Sequence, residues 1–391
     1  MSAEIRIPLS RPDITDADRA LVLATLETPY LSLGPRVREF EERFAAFAGA
    51  KHAVAVNSGT SALHLCVRAL GIGEGDLVVT SPFSFVASAN CLLFERARPV
   101  FVDIDPETLN IDLGKLEEKV REIGGRGGSG AGRLKALLPV HVFGRPCDMT
   151  AVMGIAGESG LEVIEDACEA PGAEVRDEAA GGVWRKAGTF GRCSAFGFYP
   201  NKQMTTGEGG VVATNDDGVA ALWRSMRNQG RSESAAWLQH ERLGYNYRLS
   251  DINCALGLGQ LARLPGMLAK RERVAGWYAE RLKGLPDVVV PEARAGERIS
   301  WFVYVVRLGD RFSREDRDRV LAELRERGIG CGNYFTPIHL QPFYREMFGF
   351  KEGDFPVTES VAARTIALPF YNELSEEQVD EVVASLARAL E

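Results

Sequence analysis

Between residue 52 and about residue 227, short apolar runs alternate with helical stretches, and no other feature narrows the possible folds as far. "HAVAVNS" reads as a strand and "TSALHLCVRAL" as a helix. "DLVVTSP" and "SFVASANCLLFE" repeat the pair, as do "PVFVDID" and "LGKLEEKVREI". "LKALLPVHV" precedes a helix over 148–159. The strands "LEVIEDA", "SAFGFY" and "GGVVATN" follow, then a helix from about 217. Apolar strands separated by helices predict an α/β fold, with a mostly parallel sheet covered on both faces. Ligands on such sheets gather at the carboxyl ends of the strands.

After that the rhythm changes. A helical pattern runs over about 254–285, followed by a strand at "SWFVYVVRL" and a helix at "REDRDRVLAELRERG". Extended pieces at "CGNYFTP" and "TIALPFY" precede a last helix, which Ser375 with Glu377 and Gln378 should open. The expected division is a large domain over 1–255 and a smaller α+β domain over 256–391. The first 45 residues should pack back on the body. "GGRGGSGAG" (124–132) follows a helix and lacks G-K-[ST], so it reads as a surface connection rather than a phosphate loop.

Bulk properties exclude several functions. The 391 residues carry 46 basic and 54 acidic side chains, a net charge of −8. That leaves no basic footprint for nucleic acid. No apolar run approaches the ~18 residues of a membrane span, and the N-terminus lacks the pattern of a secretory leader. Seven cysteines, an odd number without C-x-x-C, suit a reducing cytoplasm. The five histidines lack metal-ligand spacing, so no metal is expected.

Four sites carry chemistry. In "NSGTSALHL" a strand ends at Ser58, Gly59 turns, and Thr60 and Ser61 open a helix. This is an ordinary cap or an anion site, because helix starts present free N–H groups. In "VIEDACEA" Asp166 ends an apolar strand, where a carboxylate needs a cation or a salt-bridge partner. Phe85 in "PFSFVASAN" is a core residue or a flat platform for a ring. Lys202, one of only nine lysines, follows the strand "SAFGFY". Phosphate cradle, aromatic plate, buried carboxylate and lysine together describe a site for pyridoxal 5′-phosphate.

Here the sequence resembles the DegT/StrS-type nucleotide-sugar aminotransferases, within the aspartate aminotransferase fold (fold type I). The motifs are "YLSLGPRVREFEERFA", "VAVNSGTSALHL", "PFSFVASAN", "VIEDACEAPGA", "FGFYPNKQMTTGEGG", "LGYNYRLSDINCALG" and "YFTPIHLQPFYRE", spread over nearly the whole chain. The resemblance implies that Lys202 forms the Schiff base with the cofactor, and that Asp166 pairs with its ring nitrogen. Phe85 would stack on the ring, while Gly59, Thr60 and Ser61 would hold the phosphate. Glu169 stands where relatives have Gln or His near the ring oxygen. Asn246 would reach the phosphate of a partner subunit, so a homodimer with shared sites is implied. Gly197 replaces a serine that many relatives use on the phosphate, leaving only its backbone N–H. Tyr199 replaces a histidine.

The implied reaction moves an amino group from L-glutamate to a nucleotide-linked keto-sugar in polysaccharide or glycoconjugate biosynthesis. The resemblance favours a 4-keto-6-deoxyhexose over a 3-keto sugar. Arg231 and Arg248 face a diphosphate or donor carboxylate, or form salt bridges. His339 lies near the sugar or is structural. A sugar dehydratase of the same fold is a rival, but such relatives carry histidine in place of Lys202. A non-catalytic regulator need not keep Lys202 and Asp166. A nucleotide-binding module would require a G-x-G-x-x-G or Walker loop, which "NSGTSAL" is not.

Overall fold

The computed structural model describes residues 4–125, 132–231 and 239–391. Most of the glycine-rich 124–132 stretch therefore lies outside the described residues. Helices α1 (Asp16–Leu26) and α2 (Pro35–Ala48) come first. The expected alternation then follows as β1 (His52–Val56), α3 (Gly59–Ala69), β2 (Asp76–Thr80), α4 (Ala87–Leu93), β3 (Arg98–Phe101), α5 (Leu113–Gly125), β4 (Arg133–Leu138), α6 (Met149–Ser159) and β5 (Glu162–Asp166). A hairpin unforeseen in the sequence, β6 (Glu174–Asp177) and β7 (Val183–Lys186), precedes β8 (Cys193–Gly197), β9 (Gly210–Thr214) and α7 (Asp217–Arg227).

Seven strands form one sheet in the order β1-β9-β8-β5-β4-β2-β3. Only β9 runs against the others. The carboxyl ends of β1, β2, β5 and β8 therefore share one edge. Strand alternation splits the side chains between two faces. Val54, Val56, Val78, Ile164 and Ala195 point into a core with α3 and α7. Ala53, Ala55, Phe196 and Val211 point the other way, onto α2 and the next helix. There Phe44 meets Phe196 and Phe198 edge-on, with centroids at 5.0 and 5.3 Å. Both faces are covered, which explains why the strands read as unbroken apolar runs.

Helix α8 (Asp251–Leu282) is 32 residues long, about 48 Å at 1.5 Å per residue. Its first half joins the core of the large sheet through Leu258, Leu261, Leu264 and Met267. Its second half joins another core through Val274, Ala275 and Tyr278. The 255/256 division thus falls inside one continuous helix. The second core is built on β10 (Val288–Val289), β12 (Tyr304–Leu308) and β13 (Thr365–Leu368), with β11 (Glu297–Arg298) pairing instead with β6. Helices α9 (Arg314–Glu326) and α12 (Glu376–Ala389) complete it, while α11 (Pro356–Arg364) sends Val361 and Ala362 into the core with α3 and α7, and α10 (Pro342–Phe348) packs Tyr344 against Phe101. Ser375 caps α12 in a reciprocal box with Gln378, as read from the sequence. "CGNYFTP" forms no regular strand, only a bridge from Gly332 to Ala367. The N-terminal segment packs back: α1 and α2 lie on α8, and Ile7 pairs with Ile329. Among the described residues, no helix is long and apolar enough to cross a membrane.

Candidate active site

Asp166 ends β5 and is 4% exposed. Its Oδ2 accepts from Ser88 Oγ at 2.6 Å, and its Oδ1 from the Cys168 N–H at 3.1 Å. Ser88 in turn shares a 2.7 Å bond with Ser84 Oγ, one helical turn away. Both carboxylate oxygens are thus met by donors, as a buried carboxylate requires.

Lys202 lies between β8 and β9. Its Nζ stands 3.3 Å from Glu169 Oε1 and 3.7 Å from the centre of the Phe302 ring. The Glu169 Oε2 accepts from the Phe143 N–H at 2.8 Å. That N–H is aimed by a tight turn. Phe143 has φ +59°, which non-glycine residues seldom adopt. A Cβ on the next residue, Gly144, would lie 1.8 Å from the Ser300 carbonyl oxygen. Burial pushes the Glu169 carboxyl above the usual carboxylate range, against the pull of Lys202 and the Phe143 N–H. Phe143, Phe302, Tyr334 and Phe335 stack into an aromatic wall beside the pair.

The turn after β1 differs slightly from expectation. The strand stops at Val56 and α3 begins at Gly59, with Ser58 as its cap. Ser58 Oγ takes the Ser61 N–H at 3.1 Å. The helix start leaves the N–H groups of Gly59 and Thr60 without intrahelical partners. Gly197 closes β8 directly opposite. A Cβ on Gly59 would lie 3.0 Å from Cys168 Sγ and 3.3 Å from the Gly197 Cα. The start of α3, the end of β8 and Cys168 therefore meet with almost no space between them. Burial drives the Cys168 thiol far above its ordinary value, with Asp166 adding to the effect.

Phe85 is 60% exposed and Tyr199 is 54% exposed. Asn246 and Arg248 run along the end of β1: Asn57 Nδ2 donates to the Asn246 carbonyl at 3.4 Å, and Arg248 bridges to Val56. Arg248 also donates to Asn228 Oδ1 at 3.0 Å. Arg231 borders the undescribed 232–238 stretch, and its backbone N–H donates to the Asn228 carbonyl. For His339 the packing favours the structural alternative. It is fully buried, bonded to Glu359 Oε1 at 3.0 Å, and packed edge-on against Phe355.

Residues 12–387 match the DegT/DnrJ/EryC1/StrS aminotransferase family. The chain belongs to this family. It is 39% identical to the spore coat polysaccharide biosynthesis protein SpsC of Bacillus subtilis, over 97% of this chain and 96% of that one. It is also 39% identical to GDP-perosamine synthase of Caulobacter vibrioides, over the full length of both. The fold matches Helicobacter pylori PseC, an aminotransferase of pseudoaminic acid biosynthesis, with a TM-score of 0.89 at 29% identity over 98% and 99% of the two chains. The protein is a pyridoxal-phosphate-dependent sugar aminotransferase. The residues present fit that cofactor. Gly59 makes a cradle that a Cβ would crowd, free N–H groups open α3, and an acid and an amine stand at neighbouring strand ends.

Several members of this cluster escaped the sequence reading. Ser84 and Ser88 are spaced one turn apart in "PFSFVASAN", a pattern that could have suggested a relay to the neighbouring acid. Phe143 and Phe302 arrive from distant segments with no local signature, and Gln203, next to Lys202, gives no local sign that its Nε2 donates to the Glu169 carbonyl at 2.6 Å.

Proposed function

We propose that the protein transfers the amino group of L-glutamate to a nucleotide-linked 4-keto-6-deoxyhexose. The observation that carries the reading is the Lys202 amine, held between Glu169 and the Phe302 ring within a shell that also buries Asp166. When bound, pyridoxal phosphate supplies an aldehyde to receive the amino group and a ring to store the electrons of a broken C–H bond. Lys202 Nζ would hold the cofactor's aldehyde carbon and, as a free amine, would move the proton from the donor carbon. Asp166, steadied by Ser88 and the Cys168 N–H, would hold the ring nitrogen. Gly59, Thr60, Ser61 and Gly197 would hold the phosphate, and Phe85 would stack on the ring. Glu169 takes up the proton that Lys202 must shed to become a nucleophile.

Asn246 serves the phosphate of a second copy, so the working unit is a homodimer in the cytoplasm. Tyr199, Arg231 and Arg248 line the approach for the sugar nucleotide. The full-length likeness to a GDP-perosamine synthase supports a nucleotide-linked substrate. The test is incubation with glutamate and a panel of UDP-, dTDP- and GDP-linked 4-keto-6-deoxy and 3-keto sugars, with products weighed by mass spectrometry. Conversion of a 4-keto sugar with release of 2-oxoglutarate is expected. Exclusive conversion of 3-keto sugars, or loss of water without glutamate, overturns the assignment.

A further inference from the structure

One buried cation lies directly behind Lys202. Arg271, on α8, is 2% exposed. Its Nη1 donates to the Phe302 carbonyl at 3.0 Å and the Trp301 carbonyl at 3.4 Å. Its Nη2 donates to the carbonyl of Lys202 itself at 3.2 Å. One guanidinium therefore ties the backbone that carries the amine to the backbone that carries the ring beneath it. The next residue on α8 reinforces the clamp, since Glu272 accepts from Trp301 Nε1 at 2.7 Å.

A guanidinium in such a place is expensive. Its hydrogen-bond partners are all neutral carbonyls, and its Nε has none. The carboxylate that acts on it through space, Asp13, is already engaged by Arg263 and Lys270. An apolar side chain of similar size would fill the site with less desolvation cost. Position matters as well. Met267 of α8 belongs to the first core and Val274 to the second, so Arg271 sits where the helix passes between them. Planar, forked donors suit Arg to hold several acceptors in fixed geometry, which Lys cannot do.

We propose that Arg271 is a positioning residue that sets the Lys202 amine over the Phe302 ring by bracing both backbones. It touches neither cofactor nor sugar. The proposal rests on Lys202 being the reactive amine. Burial pushes Arg271 down to about 10, which still leaves it charged near neutrality.

The test uses the full chain without added cofactor. Competitive labelling with acetic anhydride, read by mass spectrometry against pH, reports the reactivity of Lys202 Nζ. Lys51, whose side chain is 56% exposed, is the internal standard. Arg271→Met should change the Lys202 labelling rate at pH 8 by about tenfold, leave Lys51 unchanged, and shift the Lys202 pH profile. Arg271→Lys should recover part of the change. Added pyridoxal phosphate should then develop its lysine-bound colour more slowly in Arg271→Met. A lower melting temperature with an unaltered Lys202 profile overturns the proposal. If Arg271→Met does not fold, Phe302→Leu removes the ring but keeps every Arg271 bond. It should change Lys202 reactivity in the same assay, and an unchanged profile there is equally fatal. Wild-type protein that never acquires colour at Lys202 defeats the functional reading instead.

Discussion

Lys202 and His339 make the same kind of contact in different surroundings. Each places a side-chain nitrogen beside a glutamate, at 3.3 Å from Glu169 and 3.0 Å from Glu359. The Lys202 side chain keeps 14% of its surface, whereas that of His339 keeps none. Lys202 lies at the carboxyl edge of the sheet, beside strand ends and a helix start with free N–H groups. His339 lies in a satellite core where Phe350 and Phe355 meet its ring edge-on. A basic group next to an acid is therefore not itself a sign of chemistry. What separates the two is access, together with the unsatisfied donors and rigid backbone nearby.

The largest expected effect is at the first pair. Lys202→Ala should lower transamination by about 10⁴-fold, since it removes the proton carrier, and should abolish the colour of the cofactor-loaded enzyme. Its urea-unfolding midpoint should barely move. Retained colour would break the distinction drawn above. His339→Ala should do the opposite. It empties a packed site and takes one donor from Glu359, which keeps the Gly353 and Phe355 N–H groups, a loss of about 2–4 kcal/mol in unfolding free energy, with kcat nearly unchanged for the protein that remains folded. A fall in kcat without loss of stability would return His339 to the site.

Acidity sharpens the same contrast, because the two regions should titrate in opposite directions. Burial raises the Glu169 carboxyl above its unfolded value. Its stabilising contribution is thus complete below the ordinary carboxylate range and is lost as pH rises through the raised folded value. Burial lowers His339, with Glu359 opposing. Its contribution is present above about 6.5 and is lost as pH falls through the depressed folded value. Glu169→Gln should flatten the alkaline side of a stability–pH curve, and His339→Ala the acid side, each by about 1 kcal/mol or less. Urea titrations of the cofactor-free protein across pH 4–9 measure both. Matching slopes in the two variants would remove the contrast.

Where the sequence was informative, the reason was local. Strand-and-helix alternation is written in consecutive residues, so the sheet and its covering helices were readable. Ser375 with Gln378 announced a cap that the structure shows. Motif-borne residues such as Lys202, Asp166 and Glu169 came together because parallel strands deliver their ends to one edge. What stayed hidden depends on residues far apart in the chain. Phe302 lies 100 positions from Lys202, and Phe143 meets Glu169 through its backbone N–H, which any residue type but proline possesses. The hairpin of β6 and β7 is short and polar, and its strands are four residues each. His339 shows a related limit: its motif indicates a neighbourhood, but only packing decides which way the ring turns.

The smallest effects concern two glycines that face each other and differ in tolerance. A Cβ on Gly59 meets Cys168 Sγ at 3.0 Å and the Gly197 Cα at 3.3 Å, so something must yield. A Cβ on Gly197 meets Cys168 Cβ at 3.5 Å and Gly59 Cα at 3.7 Å, which is ordinary contact. Gly59→Ala should therefore displace the start of α3 and weaken pyridoxal phosphate binding by about tenfold. Gly197→Ser has room for its side chain and adds a hydroxyl beside the free N–H groups of α3. One added hydrogen bond is worth ~0.5–1.5 kcal/mol, so the cofactor should bind about threefold to tenfold more tightly. Fluorescence titration of the cofactor-free variants gives both constants. Equal losses at the two positions would mean that the phosphate lies between the glycines rather than against the helix start, and that Gly197 is required for closeness, not merely tolerated.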